Sequence, residues 1–482
     1  MITFVLKSNI MKKIFFALVF LGNFLFAQNV SVVPKVDERV ELMSIVFRLA
    51  EAEEYVNNDI LYHSEEVDDY FFEYKDHPIV GYTKEIRALR GIGYDAVMSF
   101  AAHIKIDGTI TFIDNVQENS LESRWTKENA DTFLKHLNDF YTTSRFNDFF
   151  NSYADFYQKA ETNFTKVLNM VDFSWFEKFY GVKATGEYSL IISMLNGGNN
   201  YGATVKHLNG DNHIYAMIGS WRTDSLGYPD YSDNVLSLII HEYNHSFCNP
   251  LIDKYYKKMQ KNAEKSFWEV ASIMNRQAYS NAQTMLYEML VRACVIRYQI
   301  KDHEDEKKAT ASNWFSSMEK GKGFLWIDQL VDLLDKYENN RDKYPALDKF
   351  MPEVVKLSNG IKMQKLQKEY DANAPKILGT NIENKATDVD PNITGITVKF
   401  DRPMYTGGYG TSYGSGGESF YPESHPEKTP EWNMETKKEI TFYFILKPDT
   451  EYSISFPGQF FYGENLQQAQ GMYYLDFRTR KE

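Results

Sequence analysis

The chain has 482 residues, 43% of them hydrophobic and 25% charged, with a formal net charge of −13. That length suggests two domains or more, and the acidic balance argues against a nucleic-acid partner or an anionic membrane surface. Two cysteines allow at most one internal disulfide.

Residues 11–27 open with Met-Lys-Lys, continue as an apolar run and end on Ala27 before Gln28. That is the layout of a secretory signal cleaved after Ala27, so export to the periplasm or the exterior is expected. No later apolar run reaches the ~18 residues that a membrane span needs.

Residues 30–185 read mainly as helices, among them 40–57, 127–143 and 145–170, with one strand at 109–113. Phe140, Phe146, Phe149, Phe150, Tyr153, Phe156 and Tyr157 crowd one helical stretch, a spacing that fits a large core better than a ligand box. The acidic residues at 51–54 and 65–69 read as solvated faces. Strands are expected at 187–194, 201–206 and 212–219. The last two flank a turn with Asn209-Gly210, a strong hairpin signal. An edge strand at this place could bind a peptide by strand addition. His207 and His213 bracket the turn and read as exposed loop residues.

The run Leu-Ser-Leu-Ile-Ile-His-Glu-Tyr-Asn-His-Ser-Phe (236–247) contains His241, Glu242 and His245 as H-E-x-x-H. On a helix, positions i and i+4 share a face about 5–6 Å apart, which suits two imidazoles converging on one zinc ion with the glutamate as base. Asp233-Asn234 offers an N-cap and Asn249-Pro250 a stop. Leu236, Ile240, Tyr243 and Phe247 form an apolar stripe, whereas Leu238, His241, Glu242 and His245 fall on another face. The alternative is a pair of hydrogen-bonded core histidines. A charged Glu242 on so apolar a helix counts against it.

Zinc in a hydrolase takes three protein ligands and leaves a position for water. Glu288 is the best third ligand, on a helix that is apolar almost all round, with Arg292 one turn on. Arg292 is then a partner of Glu288 or a contact for a substrate carboxylate. The competing reading is a Glu288–Arg292 ion pair with no metal. Glu264 and Glu269 are rival ligands on a more polar face. Tyr298, His207 or His213 could stabilise an oxyanion. Cys248 and Cys294 follow the ligand positions closely, as a bridge between the two helices or as two buried thiols. Helices are expected to continue to about 370, with polar breaks near 303–312 and 319–323.

Beyond residue 375 the pattern becomes short alternating strands, at 396–400, 440–445, 452–456 and 473–477, spaced as in a β-sandwich. Residues 407–417, rich in Gly, Ser and Tyr, read as a disordered insertion rather than a contact loop.

The H-E-x-x-H helix followed by a glutamate on a buried helix resembles the gluzincin branch of the zincin metallopeptidases. More narrowly, the chain resembles a domain-of-unknown-function family of secreted zincin-like proteins from Bacteroidetes over roughly residues 30 to 370. The resemblance is carried by residues 36–49 (Val-Asp-Glu-Arg-Val-Glu-Leu-Met-Ser-Ile-Val-Phe-Arg-Leu), residues 71–78 (Phe-Phe-Glu-Tyr-Lys-Asp-His-Pro) and the His241 and Glu288 segments. Thr387-Asp-Val-Asp-Pro-Asn392, residues 398–404 and the ending Phe477-Arg-Thr479 resemble bacterial immunoglobulin-like domains.

The expected fold class is α+β. A signal peptide (1–27) precedes a zincin-like, mostly helical domain with a small sheet (28–372, its helical part about 28–185) and an immunoglobulin-like sandwich (375–482). The expected function is a zinc metallopeptidase acting on a peptide or protein. His241, His245 and Glu288 would hold Zn2+, and Glu242 would be the general base. The alternative is a surface binding or adhesion protein with a degenerate zincin domain, and hydrolysis of a non-peptide amide uses the same ligands.

Overall fold

The computed structural model describes residues 32–183, 187–231 and 233–481. The expected signal peptide lies outside these residues, as do the side chains of the expected cap at Asp233 and Asn234. The protein is mixed α+β, with a β-rich C-terminal region. It divides into two compact units, Met1–Phe173 with Thr185–Leu236 and Ser174–Ala184 with Ser237–Glu482.

The first unit runs β1 (Lys35–Val36), α1 (Glu38–Leu49), α2 (Leu61–Phe71), α3 (Pro78–Arg90) and α4 (Asp95–His103). The hairpin β2 (Ile104–Asp107) and β3 (Thr109–Phe112) comes next, then α5 (Lys127–Thr143), α6 (Phe146–Ser152) and α7 (Ala154–Leu168), then β4 (Glu187–Ser193), β5 (Tyr201–Lys206) and β6 (Asn212–Gly219). The main sheet has the order β1-β4-β6-β5, with β5 antiparallel on the edge and the other pairs parallel. Asn209-Gly210 makes the β5–β6 turn, and Gly210 sits at φ 91°, a conformation natural to glycine.

Helix α1 is buried almost throughout. It stops at Leu49 rather than 57 because Arg48 bonds the carbonyls of Tyr55 (2.9 Å) and Asn57 (2.6 Å) and folds that segment back. The expected helix 145–170 breaks at Tyr153 into α6 and α7. Their aromatic residues do form core, with Phe140, Phe146, Phe149, Phe156 and Tyr157 buried. Of the acidic run at 51–54, Glu54 departs from the solvated reading: it is buried and chelated by Arg87 at 2.5 and 2.9 Å.

The second unit takes in most of α8 (Phe173–Tyr180) and of the 44-residue α9 (Asp233–Arg276). It continues with α10 (Ala282–Gln299), α11 (Asp305–Gly321), α12 (Ile327–Glu338), α13 (Leu347–Gly360) and α14 (Met363–Asn373). Ser237 bonds Gln299 (3.0 Å), Cys248 faces Cys294 (3.9 Å) and Asp253 accepts from Gln283 (2.7 Å). Rising numbers on α9 meet falling numbers on α10, so the two pack antiparallel.

The expected stop at Asn249-Pro250 is absent, and α9 continues with the exposed Pro250 inside it. A straight helix from His241 to Arg276 would run about 52 Å, whereas the residues from Arg276 to Glu288 span at most about 30 Å. Since Glu288 touches His241, α9 is bent. Pro250, which cannot donate to the carbonyl four residues back, supplies one identifiable break. Past the proline, α9 packs on α13 through Lys254–Asp348 (2.6 Å) and Asn262 to the Ser358 carbonyl (2.6 Å).

The β-rich region contains β7 (Ile377–Thr380), β8 (Ala386–Val389), β9 (Gly395–Phe400), β10 (Ser412–Tyr413), β11 (Glu423–Ser424), β12 (Glu431–Trp432), β13 (Glu439–Ile445), β14 (Glu451–Pro457) and β15 (Met472–Thr479). One sheet has the order β10-β14-β15-β8 and the other β11-β13-β9-β7, with β12 also on β13. Alternate residues of both sheets share one core, among them Ile396, Val398, Ile440, Phe442, Ile454, Phe456 and Leu475. The loop at 407–417 is not a disordered insertion: its Ser412–Tyr413 stretch pairs with β14, and Gly414 N–H donates to the Ser453 carbonyl at 3.1 Å. No helix among the described residues is long and apolar enough to cross a membrane.

Candidate metal centre

The expected apolar stripe on α9 is buried at three of its four positions, Leu236 being half-buried. Ile240, Tyr243 and Phe247 are buried, Tyr243 and Phe247 against Phe176 of α8, with ring centroids 4.6 and 6.1 Å away. Packing that stripe inward turns His241, Glu242 and His245, all half-buried, onto another face. Glu288 reaches them from the second turn of α10, whose start is fixed by Asn281 accepting the Thr284 N–H at 2.9 Å.

The three expected ligands come together. His241 Nε2 and His245 Nε2 are 3.2 Å apart, Glu288 Oε2 is 3.5 Å from His241 Nε2, and Glu288 Oε1 is 3.3 Å from His245 Nε2. Three corners of a tetrahedron around an ion with bonds of about 2.0–2.1 Å lie about 3.3 Å apart. The donor set, two neutral imidazole nitrogens and a carboxylate, therefore fits a borderline-soft divalent cation in both chemistry and spacing.

The surroundings hold these atoms in place. His245 Nδ1 donates to Asn249 Oδ1 at 3.0 Å, which aims Nε2 at Glu288 and His241. Tyr279 O–H donates to Glu288 Oε2 at 3.1 Å, and Arg292 Nη2 sits 3.1 Å from the same oxygen. Arg292 also donates to Tyr279 (2.9 Å) and Glu319 (2.8 Å) and lies 4.8 Å over the Phe324 ring. It is thus a half-buried partner of Glu288, with Nη1 and Nη2 engaged by protein groups and Nε left without a hydrogen-bond partner among the described residues.

Burial pushes His241 down to about 3. Burial also works against a charge on His245, but Glu288, Glu242 and Asn249 outweigh it and lift that imidazole to about 9. Glu288 resists ionisation through burial, yet contact with His245 and the charges of His241 and Arg292 hold its carboxyl far below the usual range. The cluster therefore concentrates negative potential where a proton or a cation can sit. Glu242 differs: burial, only partly offset by His245, pushes its carboxyl above the ordinary value, and among the described residues it makes no ion pair.

Other candidates lie elsewhere. Glu264 and Glu269 are exposed on the later part of α9. Tyr298 is buried with its ring 5.1 Å from Trp175 and 5.7 Å from Phe176. His213 belongs to the first unit and is not a bare loop residue: it bonds Ser189 (2.8 Å) and Tyr215 (3.1 Å). Cys248 and Cys294 are free, buried thiols. Sequence reasoning missed Asn249, Tyr279 and Glu319. Asn249 was legible one turn after His245; the other two carry no local signal.

A mixed α+β protein with a His–His–Glu cluster able to hold a metal is the class that fold and geometry define. The family described as "Domain of unknown function (DUF4932)" matches residues 32–357, and the chain belongs to that family. No curated protein matches the chain. Among solved structures, the crystal structure of the S-layer protein rSbsC(31-844) is 14% identical, with 84% of this chain and 46% of that one covered. The chain thus spans less than half of that structure's length, and a TM-score of 0.17 is too low to relate the folds.

Proposed function

We propose that this protein is an exported zinc-dependent hydrolase, a gluzincin-like metallopeptidase with an immunoglobulin-like module as its β-rich region. The observation that carries the reading is the convergence of His241, His245 and Glu288 on one point, with Glu242 beside them on the same helix. Zinc bound there would polarise a substrate carbonyl and lower the pKa of a water to near 7.

The chain's own residues do the rest. Neutral His241 offers its Nε2 lone pair, His245 would offer its own once the proton held there is released to make way for the metal, and Asn249 keeps the remaining proton on His245 Nδ1. Glu288 supplies the neutralising charge, and Tyr279 and Arg292 keep its carboxylate from turning away. Glu242 accepts a proton from the attacking water and delivers it to the leaving amine. Its carboxyl, raised by burial, holds a proton more readily than an ordinary glutamate, which favours a group that takes up a proton and passes it on. Aspartate would be too short to reach, and glutamine cannot take a proton.

The test is metal analysis of the purified protein followed by digestion of a peptide library with and without chelator. One zinc per chain with chelator-sensitive cleavage is expected. Stoichiometric zinc without cleavage would overturn the peptidase reading in favour of a binding protein, and absence of zinc would overturn the centre itself.

A further inference from the structure

The chain's only two cysteines face each other across the helices that carry the metal-site residues. Cys248 Sγ lies 3.9 Å from Cys294 Sγ, 46 positions apart in sequence, and both side chains are fully buried. We propose that Cys248 and Cys294 are a disulfide-forming pair, a covalent modification site that staples α9 to α10 directly behind the His–His–Glu cluster.

Three features of the packing favour the bond. The helices are pinned on both sides of the pair, by Ser237–Gln299 (3.0 Å) and Asp253–Gln283 (2.7 Å), so the sulfurs are held in register. The sulfurs already touch, and closing from 3.9 Å to about 2.05 Å is a shift of under about 2 Å between them. Bridging also orphans no polar group. Tyr180 O–H lies 3.1 Å from Cys248 Sγ but donates to Asn244 Oδ1 at 2.5 Å, and Asn244 Nδ2 donates onward to the Ile240 carbonyl at 2.8 Å. The sulfur contact is then a Cys248 S–H donated to the tyrosine oxygen, and its loss on oxidation leaves the Tyr180 hydroxyl still bonded to Asn244.

The chemistry is thiol–disulfide exchange with a disulfide-bearing oxidant, small-molecule or protein. One cysteine thiolate attacks the oxidant's disulfide, forms a mixed disulfide and releases one thiol. The second cysteine, deprotonated in turn, attacks the cysteine sulfur of that mixed disulfide and expels the second thiol. Two protons and two electrons leave the pair, and the oxidant ends as two thiols. Complete burial shuts the native pair from solvent, so the exchange belongs to the chain before α9 and α10 close. Because there is no third cysteine, no wrong intramolecular pairing competes.

The experiment is a thiol count on the full chain exported into a bacterial periplasm and recovered as soluble protein. The protein is denatured, treated with a maleimide and weighed intact, with and without prior reduction. The expected result is no adduct and a mass two hydrogens lighter before reduction, and two adducts after it. Cys248→Ser and Cys294→Ser should each expose one thiol, free or capped by a small thiol, and no bridge. Two maleimide adducts on unreduced wild-type protein would overturn the proposal. So would single variants that still take up no label and carry no cap. The readout is independent of zinc and of hydrolysis, so the pair and the metal centre stand or fall separately.

Discussion

His245 Nδ1 lies 3.0 Å from Asn249 Oδ1, so a residue one turn along the same helix sets which ring nitrogen of His245 carries the proton. Partners of this kind hold a ligating imidazole in one tautomer and orientation. Asn249→Ala should therefore weaken zinc binding by about 10–100-fold without unfolding the protein. Competition against a chromophoric chelator measures it. Unchanged affinity would mean that the tautomer is set by something else.

Glu242→Gln and His245→Ala separate chemistry from metal binding. The first should retain one zinc and lose hydrolysis by about 10²–10⁴-fold; the second should lose both. Metal analysis beside a cleavage assay reads the two effects. Glu264→Gln and Glu269→Gln are controls, exposed residues expected to change neither.

Arg292→Met removes the cation shared by Glu288 and Glu319 and leaves two carboxylates short of their partner. Breaking a buried ion pair on one side costs about 3 kcal/mol or more. Urea unfolding of the metal-free variant should reveal that loss, and zinc affinity should fall with it. A variant as stable as the parent would refute the role given to this arginine.

His103 gives the first unit a pH dependence. Its Nδ1–H donates to the Ser99 carbonyl (2.7 Å), and Nε2 accepts from Ser120, whose oxygen already accepts the Lys206 N–H at 2.8 Å. Burial holds this imidazole below its ordinary value. Below about pH 6.5 the unfolded chain takes up a proton that the folded chain refuses. Stability should fall as the pH drops through that window, by at most about 1.4 kcal/mol per pH unit, and return above it. Denaturation of His103→Gln beside the parent should show a shallower fall over the same range.

Periodicity made much of this legible. The helix Lys127–Thr143 and the strands at 201–206 and 212–219 lie where periodicity and turn residues put them: the helix and the edge strand 201–206 bury one face and wet the other, and 212–219 is marked by its apolar run and the Asn209-Gly210 turn. The same reasoning separated Ile240, Tyr243 and Phe247 from His241, Glu242 and His245. It failed where the cause lies outside the segment. Arg48 shortens α1 by capturing carbonyls seven and nine residues on. The break at Tyr153 interrupts hydrogen bonding but not aromatic spacing. Pro250 reads as a helix stop, yet the helix continues because the ring faces solvent and packing on α13 holds the turns beyond it. Tyr279 and Glu319 reach the centre only once the chain has folded back.

The donor atoms of the centre all come from residues 241–288, on two helices adjacent in the chain. The centre is therefore complete in a nascent chain of about 300 residues, before any strand of the β-rich region has been made. Helices that close on each other across a short stretch of chain assemble fast. A metal captured at that moment would act as a seed for the unit around it, so supply of the ion during synthesis or export would govern yield as well as activity.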